Sequence, residues 1–421
     1  MKIALRLAWR SLLNRRLASI LTILSVALSV ALLIGVERVR QSARSSFTNT
    51  ISQTDLIVGA RGGGVPLLLY TVFHMGNATN NISFATYEKI SSDPNVAWTI
   101  PLSMGDSHRG FRVVGTNADF YAHYHYRRNQ QPRFGAGVEP KAMFDVAVGS
   151  AVAAKLGYRI GDHLTLSHGV GEVSFHSHDD KPFSVTGILE PTGTPIDRSV
   201  FITLQGLEAI HADWEDGAPP LPEHAIKSAD LQQRSLPVRE LSAVLVGAKS
   251  RADSLGLQRQ WSEFKGEPLS AIIPGLALDD LWEAISYAEN GLRVVASFVV
   301  VVGLLGLLVS IYNSLNERRR EMAILRSVGA GPGLIFALMI IEAVLLTVLG
   351  AAIGVATMYS LLFGFRPVIE SHFGLYLPIS PLSSAEQWYL CAIVGLSFIL
   401  GAIPAWRAYR NTLSDGLTIR L

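Results

Sequence analysis

Residues Asn313 to Ala330 read NSLNERRREMAILRSVGA, and an apolar run stands on either side of them. Before them lies Gly291–Tyr312, GLRVVASFVVVVGLLGLLVSIY; after them Gly331–Phe365 is mostly apolar and broken only by Glu342. Each run is long enough to cross about 30 Å of hydrocarbon at 1.5 Å per residue, so the charged stretch is the turn between two membrane helices. Arg318, Arg319, Arg320 and Arg326 outnumber Glu317 and Glu321, and an excess of basic residues beside a span marks the cytoplasmic side. Glu317 to Ser327 holds no Gly or Pro, and Met322, Ala323, Leu325 and Val328 are interleaved with the charges. That pattern predicts a short amphipathic helix lying along the membrane surface, with Gly329, Gly331 and Pro332 supplying the break before the next span. Charge alone fits an ordinary positive-inside loop equally well.

Working outward, the amino terminus MKIALRLAWRSLLNRR (1–16) carries Lys2, Arg6, Arg10, Arg15 and Arg16 and no acid, which reads as a basic interfacial helix. Leu17–Val36 follows as the first span, interrupted only by small polar residues, and it continues into Glu37, Arg38 and Arg40 without an A-x-A-like cleavage site. It is read as an uncleaved anchor starting in the cytoplasm. Residues 37–290 contain no span and form the extracytoplasmic domain, about 250 residues, enough for one large or two modest domains. The remaining elements are a second span over 291–312, the charged segment 313–330, a third span over 334–363, an outer loop over 366–387, a fourth span over 388–405 and a cytoplasmic tail over 406–421. Trp388 and Tyr389 stand at the outer edge of the fourth span like an aromatic belt. The fold class is an α+β membrane protein, with four transmembrane helices and one large mixed α/β extracytoplasmic domain between the first and second.

Within that domain, strands are expected over Asp55–Val58, Trp98–Leu102, Gly110–Gly115, Val146–Val148, His163–Ser167, Phe183–Leu189, Ser199–Ile202, Arg239–Val246 and Leu269–Ile273. Helices are expected over Phe84–Ser91 with Ser83 as cap, over Ser150–Leu156 with Ser150 as cap, over Ala252–Phe264, and from Leu276 into the second span. Hydrophobic residues make up 49% of the chain and charged ones 17%, with mean hydropathy +0.31, as expected of a membrane protein with a large soluble part. A formal charge of +2 is too small to suggest nucleic acid. Cys391 is the only cysteine, so no intramolecular disulfide can hold the outer domain and its core must do so alone.

ERRREMAILRSVGA resembles the signature of the permease subunits of the MacB/FtsX-like ABC transporter superfamily, which comprises macrolide-exporter, lipoprotein-release and cell-division permeases. The resemblance extends to DLIVGARGG (55–63), VAVGSAVAAKLGYRIGDHLTL (146–166) and FSVTGILEPTGTPIDRSVFITL (183–204), which are similar to the extracytoplasmic core of that family. It implies that the segment is a coupling helix seated in a cleft of the ATPase, with Glu321, Ile324, Leu325, Arg326, Gly329 and Ala330 matching the family pattern. It also implies a cytoplasmic ABC ATPase dimer that binds ATP-Mg, a second copy of this permease or a homologous one, a periplasmic or lipoprotein partner, and residence in the bacterial inner membrane.

Few residues suggest chemistry. Glu342 is an acid in hydrocarbon about two turns from the cytoplasmic end, which calls for a structural or coupling partner or, less readily, for proton or ion transport. Gly350 and Gly354 form a small-xxx-small pair that permits close helix packing, as at a dimer contact, although such pairs are common in apolar helices. His176 and His178 with Asp179 and Asp180 read as a Zn²⁺ donor set, since imidazole plus carboxylate suits that ion; the alternative is a polar hairpin tip between two strands. There is no G-x-x-x-x-G-K-[ST] loop, no G-x-S-x-G elbow and no H-E-x-x-H pair in the sequence, so no catalytic residues or cofactor are assigned to this chain and ATP hydrolysis is expected from a separate subunit.

Three function classes follow. The chain is an ABC permease that turns ATPase motion into work on its outer domain, extracting lipoproteins or exporting a periplasmic or outer-leaflet substrate; or a non-transporting regulatory or scaffold permease that activates a periplasmic partner; or a metal-related permease using the spans as a pathway. A single acid in the spans and the large outer domain count against the third.

Overall fold

Aliphatic and β-branched runs separated by Gly, Asp and Asn turns assemble into a large mixed sheet, beside a two-stranded one of Ile82–Ser83 and Glu240–Leu241, in the computed structural model of the chain. The structure describes residues 2–127, 129–168, 176–177, 180–214, 226, 228–232, 234–327, 329–373 and 379–414. It divides into two units, one made of Met1–Ser42, Ser286–Pro367 and Leu377–Leu421, the other of Ala43–Ile285 and Val368–Tyr376.

In the second unit the main strands are β1 (Leu56–Ala60), β2 (Val96–His108), β3 (Phe111–Thr116), β4 (Phe134–Gly137), β5 (Asp145–Val148), β6 (Phe183–Leu189), β7 (Ser199–Thr203), β8 (Ala243–Ala248) and β9 (Leu269–Ile272). Their order across the sheet is β9-β1-β8-β2-β3-β7-β5-β6-β4. The pairs β7–β3 and β6–β5 are parallel, and β2–β3, β1–β8 and β1–β9 are antiparallel. Alternation decides which face each side chain serves. Ile57 and Leu245 enter one apolar core, while their neighbours Leu56, Val58, Val244 and Val246 enter another on the opposite face. That is why Leu56–Ala60 reads as an uninterrupted apolar run, and it is buried at every position. β6 alternates buried and half-buried residues as a strand with one covered face does. Gly137 has φ 72°, and a Cβ there would run into the Thr186 carbonyl oxygen, so only glycine closes β4 against β6.

Among the described residues of this unit three helix caps rest on hydroxyls. Ser83, Thr203 and Ser250 accept from the backbone N–H of Thr86, Gly206 and Asp253, ahead of helices Phe84–Ser91, Leu204–Ile210 and Arg251–Ser262. The expected cap at Ser150 is corrected: Gly149 is the cap of Ser150–Leu156, and the Ser150 hydroxyl serves Asp197 instead. The expected strand His163–Ser167 is two short pieces, His163–Leu164 pairing with β6 and Ser167–His168 pairing with β2 and with His176–Ser177.

In the helical unit the helices run on past the spans read from the sequence. Among the described residues four helices are long and apolar enough to cross a membrane: Arg16–Thr50, Pro274–Asn313, Gly333–Val368 and Ser384–Arg407. The first helix does not stop at Val36 but runs Arg16–Thr50, because the polar residues after Val36 include no Gly or Pro to end it. The third helix continues to Phe373, with Pro367 inside it, into the stretch read as the outer loop over 366–387. The fourth starts at Ser384, ahead of the aromatic pair. Its start is a reciprocal cap: Ser383 N donates to Glu386 Oε2 at 2.7 Å, and Glu386 N donates to Ser383 Oγ at 3.3 Å.

The first helix is two-sided. Leu17, Ile20, Leu21, Leu24 and Leu28 form an exposed apolar face, as a lipid-facing surface requires, while Val26, Val30 and Ile34 are buried. Its small hydroxyls serve the second span: Thr22 Oγ1 donates to Ser310 Oγ at 2.9 Å, and Ser29 Oγ lies 3.1 Å from the Val299 carbonyl oxygen. Such interhelical bonds contribute about 0.6 kcal/mol each in membrane proteins, so they set register more than they hold the bundle.

Candidate functional site

The expected coupling segment is the end of a much longer element. Arg, Glu, Leu, Met and Ala are all good helix formers, and with no Gly or Pro between Asn313 and Ser327 nothing interrupts propagation. The second span therefore continues without a break as one helix, Pro274–Ser327, rather than turning into a separate surface helix at Asn313. At 1.5 Å per residue it is about 80 Å long. Gly329, at φ 93°, takes the left-handed conformation that terminates a helix, and Pro332 begins the next. Ile324 presents its side chain to solvent, 56% exposed. Ser327 Oγ donates to the Ile324 carbonyl oxygen at 2.8 Å. Ala330 is half-buried and Gly329 exposed; the side chains of Glu321, Leu325 and Arg326 lie outside the described residues.

Gly350 and Gly354 face the first span of the same chain. A Cβ on Gly350 would come within 2.7 Å of Val26 Cβ, and one on Gly354 within 2.5 Å of the Ala27 carbonyl oxygen. This face is thus occupied inside the chain, by backbone-to-backbone packing of the first and third spans. Gly354→Val is expected to destabilise the helical unit by about 1–3 kcal/mol, the usual cost of overpacking. A melting temperature for the purified variant equal to that of the parent would contradict this seam. Glu342 is buried, 6% exposed, one turn from Met339 and beside Ala343, whose apolar cluster also contains Leu12, Leu307 and Ile311.

The sequence reading passed over the most completely paired charge among the described residues of the helical unit. Arg38, 4% exposed, meets Glu386, 0% exposed, in a two-pronged bond: Nε to Oε1 at 2.9 Å and Nη2 to Oε2 at 2.9 Å. The other guanidinium donors reach the Ser380 carbonyl at 2.7 Å, Ser380 Oγ at 2.9 Å, the Pro381 carbonyl at 3.2 Å and Tyr359 Oη at 3.1 Å. Tyr359 Oη in turn donates to the Ser380 carbonyl at 2.8 Å. Next to Arg38, Glu37 accepts from Arg40 at 2.6 and 3.2 Å and from Gln41 at 3.1 Å, with Arg293 of the second span at 3.9 Å. First, third and fourth helices are thus tied through Arg38, and first and second through Glu37. The available signal was the Ser383-x-x-Glu386 spacing, which marks a helix start; nothing in sequence joins it to Arg38 across 348 positions.

Of the expected metal donors, Asp180 is exposed and lies 3.6 Å from Lys181 Nζ. His176 is paired with His168 across two short strands, and its side chain lies outside the described residues, as do His178 and Asp179 altogether. Among the described residues no group of three His, Cys, Asp or Glu could hold a metal ion.

Residues 19–260 match the family described as the MacB-like periplasmic core domain, and residues 293–413 match the FtsX-like permease C-terminal family. The chain belongs to the MacB/FtsX-like permease superfamily. It is 35% identical over 145 residues to the macrolide export ATP-binding/permease protein MacB of Chromobacterium violaceum, an alignment covering 33% of this chain and 22% of that protein. The chain thus matches about a fifth of that relative's length. Among solved structures it is similar to the periplasmic region of MacB from Actinobacillus actinomycetemcomitans, at 9% identity and TM-score 0.34, covering 55% of this chain and 94% of that one. It is also similar to the extracellular domain of the noncanonic ABC-type transporter YknZ from Gram-positive bacteria, at 12% identity and TM-score 0.31, covering 52% and 98%. The first family region holds the first span and the mixed sheet except its edge strand β9; the second holds the last three spans and the segment 313–330.

Proposed function

We propose that this ABC permease transmits the motion of a separate ATP-hydrolysing subunit to its periplasmic domain as mechanical work, to extract a lipoprotein or to export a periplasmic or outer-leaflet substrate. The observation that supports it is the unbroken helix Pro274–Ser327, whose carboxyl-terminal turns carry the basic segment at which a cytoplasmic ATPase dimer would press. A long helix transmits displacement along its axis because each residue is tied to the fourth before it. The partner binds ATP-Mg, and a second permease, of this chain or a homologous one, completes the assembly. A non-transporting permease that activates a periplasmic partner would use the same parts. Transfer of cargo in proteoliposomes holding both subunits separates the two, since only the transporting machine moves cargo with ATP.

Sidedness is tested first. A reporter active only outside the cytoplasm, fused after Glu172, is expected to be active, and the same reporter after Arg320 silent. The reverse pattern would end the proposal, because the ATPase could then not reach 313–330.

A further inference from the structure

A cavity of about 280 Å³ opens in the sheet-bearing unit between the helical residues Ser46–Thr50, the turn Phe73–Met75, the start of β3 and the Gly193–Ser199 segment. Its walls combine three aromatic rings, Phe47, Phe73 and Phe111, with Arg112. Arg112 is only 8% exposed, yet its guanidinium meets neutral acceptors alone: Nη1 donates to Asn77 Oδ1 at 2.7 Å and Nη2 to the Gly76 carbonyl. A guanidinium has five N–H groups, so these two bonds leave donors to spare and the charge uncompensated.

Among the described residues no carboxylate reaches the Arg112 guanidinium. None of the described residues lining the cavity is acidic. Asp197, next to the lining residue Arg198, accepts from Thr192 N, Thr192 Oγ1 and Gly193 N. His74 is half-buried in the wall with Nδ1 2.6 Å from Ser199 Oγ, and desolvation together with the Arg112 charge pushes its pKa down to about 3, so it is neutral at physiological pH. Arg198 and Lys155 both lie over the Phe111 ring, at 6.0 and 5.4 Å from its centroid, so the ring that walls the cavity is itself held by two cation–π contacts. A buried cation kept without a counter-charge beside an open space is costly unless something negative enters that space.

We propose that this cavity binds an organic oxyanion, a carboxylate or phosphate joined to a flat apolar body, with Arg112 as counter-charge and Phe47, Phe73 and Phe111 as walls. Arg112 is the group to provide it, because its planar fork matches both oxyanions and its bonds to Asn77 and Gly76 fix its position beforehand. Binding there does not depend on whether the chain transports.

The test uses the full chain in phosphatidylcholine nanodiscs, titrated calorimetrically with phenylacetate, phenyl phosphate, inorganic phosphate and benzyl alcohol. Phenylacetate or phenyl phosphate is expected to bind with Kd below about 1 mM, and inorganic phosphate and benzyl alcohol at least about tenfold more weakly. Arg112→Met is expected to weaken the aromatic anion at least about tenfold, and Arg112→Lys, which keeps the charge, less than that. Near-ultraviolet circular dichroism reports whether each variant keeps its aromatic packing; if Arg112→Met does not, Arg112→Lys and the parent decide. Absence of binding by both aromatic anions at about 10 mM, equal binding of benzyl alcohol or inorganic phosphate, or affinity unchanged in a folded Arg112→Met variant would each overturn it.

Discussion

Leu325→Asp is expected to leave the permease inserted and its outer domain folded while abolishing copurification with the ATPase subunit and the permease-dependent stimulation of its hydrolysis. Helical geometry is what makes this position decisive. Glu321 and Arg326 are both on the helix that ends at Ser327, and five residues at about 100° each place them roughly 140° apart, so they cannot point into one groove together. In the proposed contact Ile324 and Leu325 are the apolar key, and Ile324 is 56% exposed, as a side chain available to a partner must be. An Asp in a dry contact costs several kcal/mol through desolvation, on the order of a thousandfold in affinity. Arg326→Glu acts differently, by reversing a charge at the rim, and its effect should shrink as salt rises. The measurement is stoichiometry and ATP turnover of the coexpressed complex in detergent. A parent complex matched by both variants in assembly and turnover would remove the coupling role from this segment.

How far the sequence can be read depends on the range over which each signal acts. Local pattern is enough for β6, which alternates, for β7, a short continuous buried run, and for the helix behind Ser83, since each is a property of a few consecutive residues. Helix ends in the membrane unit are less legible. The sequence marks where hydrocarbon ends, near Val36 and Tyr312, whereas a helix ends only where the backbone is forced out of it, at Gly329 or after a long polar stretch. The segment proposed for coupling is legible as a pattern, and the glycine seam as a spacing, but which surface Gly350 and Gly354 face is not, because both a sister helix and a second chain accept small residues. The bonds of Thr22 and Ser29 are hidden for a related reason: their partners Ser310 and Val299 lie hundreds of positions away, and a small hydroxyl in a span carries no mark of what it meets. The Arg112 cavity is invisible in sequence, since β3 reads as an ordinary buried strand.

The Arg38–Glu386 pair carries the second large expectation. Taking both ions out of water is expensive, and here the cost is offset by a two-pronged contact plus carbonyl and hydroxyl acceptors that satisfy the remaining guanidinium donors. Removing one partner leaves the other buried and charged. Glu386→Ala is therefore expected to destabilise the helical unit by about 3–5 kcal/mol, and it also deletes the acid of the Ser383 cap, which contributes about 0.5–2 kcal/mol more. Arg38→Met strips the same site from the other side and should fall in the same range of about 3–5 kcal/mol. The double variant Arg38→Met with Glu386→Leu removes both charges, so the desolvation cost goes with the attraction, and its loss should be smaller than that of either single variant. Thermal melts of the three purified variants in one detergent measure the order, with a drop on the order of 10 °C for each single change. Were the pair only a surface contact, the single variants would melt within a degree or two of the parent, and were the loss simply additive, the double variant would be the least stable of all; either result would remove Arg38 and Glu386 as the tie between the first and fourth helices.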